Sequence, residues 1–201
     1  MQAQNGPDPR ELRRCLARFA TGVTVVTYRP AGGTEPRGAT INSFVSVSLD
    51  PPLVLVSIAR TARARDGLTG APFVVNVLAA NQLDLALCFA GRPRAQPSLP
   101  WVPDAEVPRL RGCLAWFECQ PFNAVEAGDH VLFLGQVMRH DRRAGEVLLF
   151  HGGQFRLPGP VLAEQPRVLA PTPAPVLDWL RLRTELQALT DEGVRADARA
   201  L

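Results

Sequence analysis

GATINSFVSVSLDPPLVLV, residues 38–56, sets five short polar side chains along one extended segment, ahead of a Pro51-Pro52 step and an apolar run. These are Thr40, Asn42, Ser43, Ser46 and Ser48. A strand buried on both faces reads as nearly continuous Val, Ile and Leu, and a solvated strand usually carries long charged groups on its outer face. This segment does neither, so the elements around it decide what it is for.

Working outward, Val23 to Tyr28 reads as a strand, Pro30 to Pro36 with Gly32-Gly33 as a hairpin turn, and Gly38 to Ser48 as the returning strand. Leu53 to Ala59 and Pro72 to Leu78 follow as strands. Cys113 to Val125 and Val131 to Arg139 flank Gly128-Asp129-His130, and Glu146 to Phe155 closes the series. Upstream, Asp8-Pro9-Arg10-Glu11 predicts a helix N-terminus, with Leu12, Cys15, Leu16 and Phe19 forming an apolar stripe. A second helix is predicted from Asn81, with Asp84 at the capping-box position and a stop at Gly91. Arg92 to Pro108 is expected to be a long surface loop. Strands outnumber helices and most connections have hairpin length, which favours an antiparallel barrel over a parallel sheet. From Leu157 to Pro175 six of the 19 prolines occur without apolar period, an extended linker before a last predicted helix over Val176 to Glu192.

The 201 residues suit one domain with a tail, here 1–157 and then 158–201, and the 46% hydrophobic and 20% charged content is that of a folding chain. All 22 basic side chains are Arg, which excludes a pyridoxal phosphate Schiff base and a Walker-type phosphate loop. The arginines are scattered rather than striped, so no nucleic-acid partner is expected. No apolar stretch reaches about 18 residues and no leader opens the chain, so no membrane partner and a cytoplasmic home are expected. Cys15, Cys88, Cys113 and Cys119 form no Cys-x-x-Cys pair and read as free buried thiols.

Gly-x-Gly-x-x-Gly, His-Glu-x-x-His and Gly-x-Ser-x-Gly are all missing. Of three histidines, His140 reads as a solvated strand-end residue beside Asp141, leaving His130 and His151. A flavin would account for both this poverty and the opening segment, because it carries its own reactive atoms and asks the protein for orientation and hydrogen bonds. Short side chains and open backbone amides let a strand approach a flat ring closely. The alternative is a barrel strand whose hydroxyls simply face water.

Five stretches, RRCLARFATGVTVVT, GATINSFVSVSLDPPLVLVSI, FVVNVLAANQLDLALCFAG, CLAWFECQPFNAVEAGDHVLFLGQV and LLFHGGQFR, together resemble the flavin reductase-like family with the FMN-binding split-barrel fold. The resemblance is collinear from about Leu12 to Arg156. It implies a mainly β chain, a six-stranded antiparallel split barrel with a few flanking helices. It also implies a homodimer with one flavin per subunit, and NADH- or NADPH-dependent reduction of FMN or FAD for a separate monooxygenase.

By that resemblance Thr40, Ile41, Asn42, Ser43 and Phe44 border the flavin ring, with Ser46 and Val47 alongside. Ser57 and the Arg60 to Arg65 segment take the phosphate, Arg60 and Arg63 suiting it by charge and fork geometry. Relatives often carry Ser or Thr where Ala62 and Ala64 stand, so two hydroxyl donors are missing, worth about 1 kcal/mol each or roughly fivefold to tenfold in affinity. His130 is either a strand-end residue fixed by Asp129 or a cofactor contact. His151 matches a position near the nicotinamide or substrate side of the flavin, although relatives often have Tyr before it and Arg in place of Gln154. Trp101 and Trp116 are expected to be core or loop anchors.

Three functions follow. The first is hydride transfer from nicotinamide C4 to flavin N5, governed by ring positioning, with amides near residues 41–47 stabilising the reduced ring and His151 orienting the nicotinamide. The second is a flavin-retaining oxidase, monooxygenase or other tailoring enzyme, and the third a non-catalytic flavin-binding or partner-binding module. The terminal helix would serve either dimer packing or substrate capping.

Overall fold

A computed structural model describes residues 6–92 and 99–160; the predicted terminal helix and nearly all of the linker lie outside them. Helix α1, Pro9–Leu16, starts as its sequence predicts, with the Asp8 carboxylate accepting from the Arg10 amide at 3.0 Å and proline in the first turn. Its apolar stripe does not enter the core. Leu16 and Phe19 are 66% and 78% exposed, and Cys15 is exposed as well, contrary to the expectation of a buried thiol.

Then come β1 (Thr21–Gly22), β2 (Thr24–Tyr28), β3 (Arg37–Ile41), β4 (Val45–Leu49) and β5 (Pro52–Ala59). Helix α2 (Arg63–Leu68), β6 (Phe73–Val77) and helix α3 (Leu83–Phe89) follow, then the long pair β7 (Ala115–Ala127) and β8 (His130–Arg142), and the short pair β9 (Leu149–His151) and β10 (Gln154–Arg156). The main sheet runs β3-β2-β6-β7-β8-β5-β4, every pairing antiparallel, and a smaller sheet runs β1-β9-β10.

The expected single strand over Gly38 to Ser48 is two strands. Arg37–Ile41 pairs with β2, Val45–Leu49 pairs with β5, and Asn42, Ser43 and Phe44 carry the chain between them. Because β3 and β4 stand at opposite ends of the seven-strand order and are joined by three residues, the sheet curls until its edges meet. The expected six strands are therefore seven in the main sheet, because the segment over 37–49 breaks into β3 and β4. Asn and Ser favour the break by weak strand propensity, and the Ser43 hydroxyl takes over from the ladder, donating to the Ser57 carbonyl at 2.8 Å and accepting from its amide at 3.2 Å. Phe44 turns inward and stacks on Phe117 with ring centroids 5.4 Å apart.

Alternation along the strands makes two cores. Val26, Tyr28, Val54, Val56, Ile58, Phe73, Val75 and Phe133 fill the barrel, while Val23, Val25, Leu78, Ala86, Leu110 and Leu148 pack outside it beneath α3. Strand β2 lies between them and is buried at all five positions. Asn76, fully buried on the outer face of β6, donates to the Val25 carbonyl at 2.9 Å and accepts from the Leu110 amide at 3.0 Å, which pins the end of the long loop to the sheet. Trp101 packs edge-on to Phe89 against this second core, as expected of a loop anchor.

Two further local readings differ. The turn before α3 is capped by Gln82, whose side chain accepts from the Ala79 amide at 3.0 Å, because a 3-10 turn over Ala80–Gln82 shifts the helix start past Asn81. The last predicted strand is a hairpin instead, since Gly152 and Gly153 adopt φ of 60° and 80° and turn the chain between β9 and β10.

Cys88 is half-buried, whereas Cys113 and Cys119 are the buried thiols, pushed by burial up to about 11 and about 12. A maleimide reagent at neutral pH is therefore expected to label Cys15 first and to reach Cys113 and Cys119 only after denaturation. Labelling of Cys119 as fast as Cys15 in folded protein would contradict this packing.

Candidate functional site

The closure of the barrel leaves β3 and β4 as end strands, each paired on one side only. Their outer backbone N–H and C=O groups face away from any other strand among the described residues, the condition under which a sheet edge recruits a ligand. The side chains there are small: Asn42, Ser46 and Val47 are exposed, and a bulge between Ser46 and Ser48 opens the ladder. This edge fits a flat ring with carbonyl and nitrogen acceptors, which needs close backbone approach and donors more than charge.

Not every residue expected at that ring presents its side chain to it. The Thr40 hydroxyl donates to the Ala86 carbonyl of α3 at 2.7 Å, so Thr40 offers only backbone. Ile41 and Phe44 are half-buried against the barrel core, and Ser43 is committed to Ser57. What remains accessible is Asn42, the β4 residues Ser46 and Val47, and main chain.

Ser57 lies near the far end of β5, three residues before Arg60, and the register sets Ala59 opposite His130. Arg60 is thereby brought to the β7–β8 turn, where its amide donates to the Asp129 carbonyl at 2.9 Å and its Nη1 to the Gly128 carbonyl at 3.4 Å. Arg63 opens α2 and is exposed. The structure therefore gathers Ser43, Ser57, Arg60 and His130 around one end of β5. Sequence reading missed Glu126, whose carboxylate lies 3.4 Å from Arg60 Nε and 3.8 Å from Arg65 Nη2. It orients both guanidiniums and offsets part of their charge.

The two alanines at this segment are explained by packing. Ala64 is 3% exposed within the barrel core, so a hydroxyl there would not face the open side, and Ala62 also rests on that core.

His130 Nδ1 lies 2.7 Å from Asp129 Oδ1. The hydrogen bond and then the charge of His130, with a smaller contribution from Arg13 of α1, hold the Asp129 carboxyl below its ordinary value. This contact fixes the ring and leaves Nε2 as the nitrogen that can meet a ligand. His151 stands apart from the β5 group in the small sheet, ending β9 opposite Gln154, where the next residue, Gly152, donates its amide to Ala17 of α1 at 2.9 Å. Trp116 lies beneath Arg109, whose guanidinium carbon is 4.2 Å from the ring centroid, a stacked pair at the mouth of a separate cleft. His140 tilts against Phe117 on the exposed end of β8.

Residues 16–158 match the profile described as flavin reductase like domain. The chain belongs to the flavin reductase-like family. This flavin reductase-like chain is 44% identical over 152 residues to an FMN reductase (NADH) of Agrobacterium fabrum, covering 75% of this chain and 86% of that protein. It is 44% identical over 161 residues to an NADH-dependent FAD reductase of Streptomyces globisporus, covering 74% and 87%. The solved styrene monooxygenase flavin reductase of Pseudomonas putida superposes with a TM-score of 0.69 at 34% identity, covering 76% of this chain and 99% of that one.

Proposed function

We infer that this chain reduces FMN or FAD with NADH and passes the reduced flavin to a separate monooxygenase. The observation that carries this reading is the pair of sheet edges meeting at Asn42–Phe44, with open backbone, small exposed side chains and the Arg60–Arg63 segment at one end. The relatives' names support NADH as the reductant and leave both flavins as substrates.

When bound, the flavin supplies the hydride-accepting ring. The protein's own work is binding and orientation. Main-chain amides of residues 42–47 donate to the ring edge and favour its more negative reduced form. Arg60 and Arg63 hold the phosphate, with Ser57 beside them, and Glu126 keeps that hold moderate so that product can leave. Asp129 presents His130 in one orientation, and His151, which stands in the small sheet, is assigned to the nicotinamide side by the family resemblance alone. None of these groups has to move a proton, since hydride transfer depends on ring register more than on an acid.

A homodimer belongs to the same reading. Val45, Val47 and Leu49 on edge strand β4, with Phe122 and Met138, form exposed apolar surface, and Leu49 is 86% exposed, which suits a second copy. Among the described residues no helix is long and apolar enough to cross a membrane.

The test is NADH oxidation by purified protein with added FMN or FAD. Turnover that saturates in flavin is expected. A flavin that co-purifies tightly with no such turnover would favour a flavin-retaining oxidase, and no flavin binding at all would leave a non-catalytic module.

A further inference from the structure

The carboxylate of Glu126 is shared between two guanidiniums. Its Oε2 lies 3.4 Å from Arg60 Nε and its Oε1 3.8 Å from Arg65 Nη2. The register of β7 on β8 sets Glu126 opposite Val131 of the barrel core, so both side chains stand on one face of the sheet and Glu126 meets Arg65 of α2. Both contacts are longer than the about 2.7–2.9 Å of a charge-assisted hydrogen bond. The three side chains are 41–55% exposed, and ion pairs of this kind contribute little to folding. Arg60 is anchored separately by the Asp129 and Gly128 carbonyls, and Arg65 Nη1 lies 2.9 Å from Asp66 Oδ1. Loss of the Glu126 charge would therefore alter what these arginines offer more than where they stand.

A carboxylate that bridges two guanidiniums presents to them what a phosphate would, two oxygens and a negative charge. A ligand phosphate seated on Arg60 must displace Glu126 or lie beside it, and either arrangement brings like charges together. The penalty grows with the charge of the phosphate. Three guanidiniums, Arg60, Arg63 and Arg65, stand against two carboxylates, Asp66 and Glu126, which leaves one net positive charge. Asp129 and His130 are paired with each other. A terminal phosphate monoester, as in FMN, carries about 1.5–2 negative charges at neutral pH. Each phosphate of the FAD diphosphate has a single ionisable oxygen and carries one charge. The arginine segment with Glu126 in place matches the second and undercompensates the first.

We propose that Glu126 is a specificity-determining residue for the flavin: its carboxylate competes with the ligand phosphate for Arg60 and Arg65 and disfavours FMN relative to FAD. The inference rests on the reductase reading for the identity of the ligand.

E126Q keeps the shape of the side chain and removes its charge. The full chain is titrated by calorimetry with FMN, FAD and riboflavin. FMN is expected to bind about fivefold more tightly to E126Q, FAD by less than about twofold, and riboflavin, which has no phosphate, as to wild type. The KM for FMN should fall in parallel while the KM for NADH stays. E118Q, which removes a carboxylate 3.8 Å from Arg139 on the same strand, should change none of the three affinities. Unchanged FMN affinity in E126Q, an equal gain for FMN and FAD, or a gain for riboflavin would overturn the proposal. Any of these results in a protein that oxidises NADH with FMN removes the role of Glu126 and keeps the reductase reading. The expected FMN gain without NADH oxidation by either protein keeps that role and removes the reading.

Discussion

R60A/R63A is expected to lose FMN affinity by about 100-fold, since each guanidinium–phosphate contact is worth roughly 1.5–3 kcal/mol and the pair is only partly screened. Folding stability should stay within about 0.5 kcal/mol, because Arg63 is exposed and Arg60 is tied to the exposed Glu126. The double Lys variant separates charge from shape: it restores the charges without the planar fork and should recover only part of the affinity. Quenching of flavin fluorescence gives the affinity and urea unfolding the stability. Wild-type affinity in R60A/R63A would move the phosphate away from this segment.

The second large effect lies in the barrel wall. Gly135 sits in β8 between Val54 of β5 and Pro121 of β7. A Cβ there would meet Phe73 Cζ at 2.5 Å and Cys119 Cβ at 2.8 Å. Both neighbours are among the least exposed side chains of the protein, so neither can swing outward. G135V is expected to cost about 3 kcal/mol or more, a large share of the 5–15 kcal/mol that holds an ordinary domain. G22A, where an added Cβ meets nothing within 4 Å, is the matched control and should be near neutral. A G135V urea midpoint equal to that of G22A would contradict the packing of the barrel interior.

The strands and their antiparallel order were largely legible, because β5 and β6 are apolar runs bounded by turn residues and hairpin-length connections leave few topologies. The cap at Asp8 was legible for a local reason, a side chain bonding an amide two residues on. The break at Asn42–Phe44 was not, since the weak strand propensity of Asn and Ser singles out no one point in a segment that carries Ser at three places and Thr at another. Only the tertiary partner, Ser57, shows that Ser43 leaves the ladder. The same blindness explains Thr40, whose hydroxyl finds an α3 carbonyl 46 residues away in sequence.

The stripe of α1 misled for a different reason. Leu12, Cys15, Leu16 and Phe19 have the period of a buried face, but period reports which side is apolar, not what covers it. Glu126 gave no signal at all, since a lone acid near a hairpin end reads as solvated surface until the register sets it beside Arg60.

In the proposed site a flavin ring lies along the joined sheet edges of β3 and β4 with its phosphate toward α2. Backbone amide chemical shifts of the labelled protein during an FMN titration test it most directly. Signals from residues 42–47 and 60–63 are expected to move together and saturate together. Silence at those residues while signals around the Arg109–Trp116 cleft move would contradict it.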